Sequence, residues 1–380
     1  MKRVKTLVGI FALLLGFSSQ LFAKQKVLIV VTNNQYVQVN IAGKDTVVAG
    51  GYELSEVSEA YNIFTESGFR VDFMSPKGGK TFYEPEEDMK EVNKEFIAKT
   101  DVMEQLENSL SPSQVNANDY AAIYFAGGKT MWDFPESKEL GQLAVSIYEA
   151  KGIVGAVCHG PAALVNAKLS DGTYLVAGKK VSSFTDREEQ LFSKAAKLLP
   201  FYLQEKLTSL GVHFQEAPPL FNQTVVDGRL VTGQNPLSTY SVANEMVKLM
   251  GKKAVERSWT DMSYTLEVIK LLVLKDKNEA ESFTKAHAQA YQLKQQLFQD
   301  YSSYAFAGHL GEVAKNKALA LLEFAAEVFP ESAKSQEALA QAYHSLGKEK
   351  LALIYLKKSI ELEPGNPSAL KLKQKLRDNK

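Results

Sequence analysis

"IVGAVCHGPAAL", residues 153–164, is the stretch on which the reading of this chain turns. Ile153 to Val157 are apolar or small and follow Gly152, the pattern of a short buried strand. Pro161 is tolerated in the first turn of a helix, so a helix can start there. Between the two sits Cys158, with Ala156 and Gly160 two residues away on either side. A tight strand-to-helix turn that exposes a nucleophile tolerates only small side chains beside it, and this spacing meets that need. The start of a helix next to the sulfur would favour the thiolate and lower its pKa. The plain alternative is a small thiol satisfied by burial.

Working outward, the same strand-then-helix alternation recurs. "KVLIVVTNN" (26–34) reads as a buried strand ending in turn residues, "SEVSEAYNIFTESGF" (55–69) as a helix with a glycine stop, and "RVDFM" as the next strand. "AAIYFAGG" (121–128) repeats the strand-to-glycine pattern, and "ESKELGQLAVSIYEAKG" is a helix closed by Gly152. "TVVDGRLVTG" carries an Asp-Gly hairpin signal, and "PLSTYSVANEMVKLMG" a last helix that Pro236 opens. Alternation of this kind predicts an α/β fold, a doubly wound and mostly parallel sheet with helices on both faces.

The chain has 380 residues, more than one ordinary core, and two or three units are expected. Hydrophobic residues make up 45% and charged residues 23%, with a formal charge of zero. That is a globular composition, without the basic surplus of a nucleic-acid binder. The start differs: "MKRVK" is basic, "TLVGIFALLLGF" apolar and "SSQLFAKQ" a polar exit. This is the layout of a secretory signal over residues 1–23, cut after Ala23, and its apolar run is too short to span a bilayer. Export to a periplasmic or extracellular space is expected, and loss of Lys2, Arg3 and Lys5 leaves a mildly acidic mature chain. Cys158 is the single cysteine, so it has no intramolecular disulfide partner.

The α/β unit is expected over 24–253 and an all-α unit over 254–380, where Ala, Leu, Lys, Glu and Gln dominate. Pro330 and Pro364 lie thirty-four residues apart, the tetratricopeptide period. Between them Ala338, Ala342, Tyr343, Leu346, Gly347, Ala352, Leu356 and Ile360 fall where two packed antiparallel helices need small and apolar residues. The segment 331–364 resembles one good tetratricopeptide repeat, and "HLGEVAKNKALALLEFAAEVFP" echoes it before Pro330. Stacked helical pairs build protein-binding surfaces, so a protein partner is expected for the tail.

Taken together, "AVCHGPAAL", "YFAGGKTMWDFPES", "GFRVDFMSPKGG", "SSFTDREEQ" and "VVDGRLVTGQNP" resemble the ThiJ/PfpI superfamily, in the class I glutamine amidotransferase-like (flavodoxin-like) fold, over about residues 25–250. The branch they are most similar to is the glutathione-independent glyoxalase III and heat-shock chaperone group. The resemblance implies a thiol nucleophile at Cys158, a base at His159, an acid at Glu56 that approaches the thiol, and a carboxylate at Glu189 that orients the histidine. By spacing alone, Glu53, Glu56 and Glu59 read as a solvated helix face, and Asp186 and Glu188 compete with Glu189. Gly127 and Gly128 are candidate oxyanion donors with the His159 N–H. The similar group commonly reads Gly-His-Gly before the threonine where this chain has Gly127, Gly128 and Lys129, so a histidine is missing and a cation added, and Trp132 is placed in the pocket wall.

The implied activity is conversion of methylglyoxal or a related α-oxoaldehyde, a small-molecule substrate, to a hydroxy acid, without cofactor. Deglycase, peptidase or amidase chemistry with the same thiol is the alternative, as is a chaperone-like binding role through the tail. The resemblance also allows a homodimer. The five histidines are scattered without metal-ligand spacing, and neither a phosphate loop nor a dinucleotide fingerprint occurs.

Overall fold

Alternation of side chains along the strands builds two cores on one sheet. The computed structural model describes residues 25–41, 43–85, 89–193, 196–256, 259–304 and 311–378, so the expected signal segment lies outside the described residues. The strands are β1 (Lys26–Val30), β2 (Tyr36–Ile41), β3 (Lys44–Ala49), β4 (Arg70–Met74), β5 (Tyr120–Phe125), β6 (Ile153–Val157), β7 (Lys180–Val181), β8 (His213–Phe214), β9 (Thr224–Asp227) and β10 (Leu230–Gly233). The main sheet has the order β4-β1-β5-β6-β10-β9. All its pairings are parallel except β10 with β9, the hairpin that turns at Asp227–Gly228. The expected α/β architecture is what the chain adopts.

Leu28, Val30, Ile123, Phe125, Val154 and Ala156 point to one face, while Val27, Ile29, Ala122, Tyr124, Ile153 and Val157 point to the other. Burial on both faces explains why β1 and β6 read as continuous apolar runs rather than alternating ones. The covering helices of this unit are α1 (Leu54–Glu66), α2 (Glu91–Ile97), α3 (Thr100–Glu107), α4 (Lys138–Glu149), α5 (Asp186–Phe192), α6 (Leu203–Ser209) and α7 (Thr239–Leu249). Residues of α1 and α7 join the second face, and those of α4 and α6 the first. The helix expected at Pro161 is a five-residue 3-10 segment, Gly160–Leu164. The hairpin β2–β3 and helices α2 and α3 lie in segments to which the sequence assigned no element.

The chain divides into two compact units, 1–256 and 257–380. The second is all helical: α8 (Asp261–Leu274), α9 (Lys277–His287), α10 (Gln295–Tyr304), α11 (Gly311–Val328), α12 (Ala333–Ser345), α13 (Glu349–Leu362) and α14 (Pro367–Asp378). Gly347, at φ 69°, makes the turn between α12 and α13. Ala342, Tyr343, Ala352 and Leu356 are buried there, with Ala338, Leu346 and Ile360 packed around them. The stretch before Pro330 forms the helix α11, against which α10 packs.

Candidate active site

β6 ends at Val157, and the next residue, Cys158, turns the chain with a left-handed φ of 58°. For a non-glycine residue this conformation is strained and is held only by its surroundings. Here the Cys158 N–H donates to the Gly233 carbonyl (2.9 Å) and the Cys158 carbonyl accepts from Phe184 N–H (2.8 Å). The turn is tight enough that a Cβ on Gly160 would lie 2.1 Å from the Phe125 carbonyl oxygen, so only glycine fits. The glycine on the far side of the thiol is thus required by the close approach of β5. The site stands at the carboxyl ends of β5 and β6, the edge where open parallel sheets bind ligands.

The structure brings Glu56, Cys158, His159 and Glu189 together. His159 Nδ1 lies 3.5 Å from the Cys158 sulfur, and its Nε2 is hydrogen-bonded to Glu189 Oε1. The ring is stacked obliquely on Phe184, with centroids 4.7 Å apart. Glu189 rises from α5, whose amino end is closed by a Thr185–Glu188 capping box. Glu188 is spent on structure: its carboxylate accepts from Thr185, Leu220 N–H and Asn235 Nδ2. That settles which of the neighbouring acids faces the imidazole.

Glu56 is fully buried in the first turn of α1, not on a solvated face. Its Oε2 accepts from Gly127 N–H at 2.5 Å, and its Oε1 has no hydrogen-bond partner among the described residues. A Cβ on Gly127 would meet His159 N at 2.7 Å, Cys158 Cβ at 2.8 Å and Glu56 Oε2 at 3.0 Å. Gly127 therefore lets the loop after β5 lie directly against the thiol. Its N–H is engaged by Glu56, which corrects its expected role as an oxyanion donor. The N–H groups of Gly128 and His159 donate to no protein acceptor among the described residues and stay available.

Burial pushes the Cys158 thiol well above its ordinary pKa, and the nearby Glu56 carboxyl, then Glu53 and Glu188, push the same way. This reverses the expectation that a helix amino terminus would lower it. The segment after Cys158 is one short 3-10 turn with little macrodipole, and the thiol is only 4% exposed. Burial likewise raises the Glu56 carboxyl well above the carboxylate range, aided by Glu53 and opposed by the Gly127 N–H. Glu189 behaves differently: burial pushes it up, but the hydrogen bond and charge of His159, with Ser193 and Lys129, outweigh this and hold it below its usual value. The cluster therefore sets a carboxyl whose pKa is raised on one side of the thiol and one whose pKa is lowered behind the imidazole.

Lys129 Nζ pairs with Glu84 Oε2 at 2.9 Å, both side chains about three-quarters buried. Glu84, unseen in the sequence, comes from an irregular segment and is fixed by its N–H on the Tyr52 carbonyl (2.8 Å). Thr130 Oγ1 donates to the His159 carbonyl (3.2 Å), a second contact without a sequence signal. Trp132, expected in the pocket wall, is half-buried against the core cluster on the face of the sheet away from the one Cys158 joins. Among the described residues no group of three or more His, Cys, Asp or Glu side chains is arranged to hold a metal ion.

The sequence profile of the DJ-1/PfpI family matches residues 46–249. The chain is 32% identical over 241 residues to the glutathione-independent glyoxalase HSP31 of Saccharomyces cerevisiae, covering 58% of this chain and 96% of that one. Among solved structures it is similar to glyoxalase III from Candida albicans, with TM-score 0.52, 27% identity, and 59% of this chain against 96% of the other. The rapid encystment protein of Francisella tularensis gives TM-score 0.53 at 30% identity, covering 60% and 99%.

Proposed function

The chain belongs to the DJ-1/PfpI family, and from that premise we propose that it is a glutathione-independent, glyoxalase III-like enzyme with Cys158 as nucleophile. Its substrate is methylglyoxal or a related α-oxoaldehyde, and its product the hydroxy acid. The observation that carries this reading is the line Cys158 Sγ, His159 Nδ1, His159 Nε2, Glu189, with the buried Glu56 carboxyl beside the same sulfur.

With Glu189 on Nε2, the imidazole keeps its N–H on that side and Nδ1 is left to accept the thiol proton. The sulfur then bonds to the aldehyde carbon C1, and the oxygen charge that develops faces the His159 and Gly128 N–H groups. Protonation of that oxygen gives a hemithioacetal. Loss of the C1 proton to a base and return of a proton to C2 passes through an enediol and yields a 2-hydroxyacyl thioester. C1 is oxidised as C2 is reduced, so the electrons balance within the substrate. Water cleaves the S–C1 bond, releasing D-lactate and restoring the thiol. Glu56, buried beside the thiol with its pKa raised and one oxygen unengaged, is suited to give and take up protons beside His159.

The test is chiral D-lactate formation from methylglyoxal without glutathione by the full chain and its Cys158→Ser form. The wild type alone should make D-lactate; equal production by both would sink the assignment. For the second unit we propose tetratricopeptide-type capture of a protein partner, supported by the packed α12–α13 pair between Pro330 and Pro364. If deletion of 254–380 left the captured proteins unchanged, that reading would fail. Removal of residues 1–23 on export is proposed from the sequence alone, and an intact Met1 terminus on the protein recovered from cells would contradict it.

A further inference from the structure

The loop 127–130 is wrapped around the thiol. Gly127 lies against Cys158 and Glu56, Thr130 reaches the His159 carbonyl, and Lys129 sits between them. The Lys129 backbone is pinned by its N–H on the Gly51 carbonyl (2.8 Å), and Tyr52 bridges to both Gly128 and Tyr83. Loops 50–53, 81–84 and 127–130 are thereby stitched into one rim, and the rim sets Glu84 2.9 Å from the Lys129 ammonium. An ammonium has three donor directions, and Glu84 takes one. Burying the ammonium costs desolvation, and the Glu84 carboxylate, with smaller help from Cys158 and Glu189, offsets it and holds the Lys129 pKa above its usual value. Beside His159, the ionisable groups around the thiol are acidic: Glu53, Glu56, Glu188 and Glu189. Lys129 is the cation set among them, and it interacts electrostatically with both Cys158 and Glu189.

We propose that Lys129, positioned by Glu84, forms a subsite for a second oxygen: it binds the oxygen on the carbon next to the one Cys158 attacks. The site thereby selects compounds with two adjacent oxygenated carbons over simple aldehydes. In an α-oxoaldehyde that oxygen is the C2 carbonyl, which gains negative charge as the enediol forms, so the ammonium binds it more strongly as the reaction proceeds. A carboxylate beside an aldehyde offers the same chemistry. The inference rests on the glyoxalase reading for the identity of the attacked carbon, but it can be read without turnover.

Reversible adducts protect Cys158 from alkylation by iodoacetamide, so half-protecting concentrations of methylglyoxal, glyoxylate and propanal report binding alone. Each is measured on the full chain as wild type, Lys129→Met, Lys129→Arg and Glu84→Gln, with the alkylation rate in the absence of aldehyde as the control for the thiol itself. Loss of one charge-assisted hydrogen bond predicts that Lys129→Met raises the methylglyoxal value about tenfold while propanal stays within about twofold. Lys129→Arg should retain most of the discrimination, and Glu84→Gln should weaken it by about threefold. A parallel loss for glyoxylate would extend the subsite to carboxylates. Equal changes for all three compounds, no change for any, or a change for glyoxylate alone would overturn the proposal. If Lys129→Met does not fold, Lys129→Gln carries the same comparison. A wild type that discriminates in this way yet makes no lactate would sink the glyoxalase reading and leave the subsite standing.

Discussion

Around Cys158 the first unit buries Glu56, His159, Glu188 and Glu189, whereas around Tyr343 the second buries Leu339, Ala340, Ala352 and Leu356. The second unit does bury a carboxyl, Glu337, but satisfies it from Asn366 Nδ2 and Gln341 Nε2. Among the described residues the buried carboxyl oxygens without a partner belong to Glu56, Asp133, Asp186 and Glu189, all in the first unit; the unpartnered buried groups of the second are neutral hydroxyls and amides. A helical stack needs shape complementarity alone, so its ionisable groups are satisfied or turned outward. A site that moves protons must keep ionisable groups out of water with capacity to spare, and leaving that capacity unfilled costs stability.

If that contrast is right, damage to the two units separates into lost rate and lost stability. The largest effect is expected from Glu189→Gln, which keeps shape but removes the charge behind His159: kcat/KM for methylglyoxal should fall by about a thousandfold. Unfolding of the first unit should change little, and a variant that loses stability instead would make Glu189 a packing group. Next comes Leu339→Ala in α12, fully buried, which should cost roughly 2–5 kcal/mol in the unfolding of the second unit. Lactate kinetics should stay within about twofold; a matching loss of rate would break the division.

Asp133 sharpens the comparison by pH. Its carboxyl accepts from Thr32 Oγ1 and Asn33 N–H, yet burial pushes its pKa up to about 7, outweighing those bonds. The native state therefore holds a proton that the unfolded chain releases at lower pH. The associated stability is fully present below the ordinary carboxyl range and is lost as pH rises through about 7. Chemical denaturation between pH 4 and pH 8 should show the wild type losing on the order of 2–4 kcal/mol more than Asp133→Asn in the first unit. Parallel curves for the two proteins would show that Asp133 ionises freely.

Much of this was legible because it rests on local pattern. The β1, β5 and β6 runs, the Asp227–Gly228 hairpin and the small residues about Cys158 each carry their reason within a few positions. What could not be read depended on depth. Glu53, Glu56 and Glu59 share one spacing, and only the tucking of the first turn of α1 beneath the loop after β5 buries Glu56. The direction of the thiol pKa was misread for the same reason, since a motif shows a helix start but not the carboxyls that fold in beside it. Glu84 lies in a stretch without periodicity and is placed by Tyr52, far from it in sequence.

The central claim is that this buried thiol, imidazole and carboxyl cluster carries a proton from C1 to C2 of the substrate. Turnover of methylglyoxal by the full chain in deuterated water, with the C2 position of the lactate read by NMR, tests it most directly. Passage through an enediol predicts deuterium at C2 in the wild-type product and no lactate from Cys158→Ala. Lactate that retains only protium at C2 would mean that the C1 hydrogen passes to C2 without exchange, by hydride transfer or by a base closed off from water, and would contradict an account in which the abstracted proton mixes with solvent.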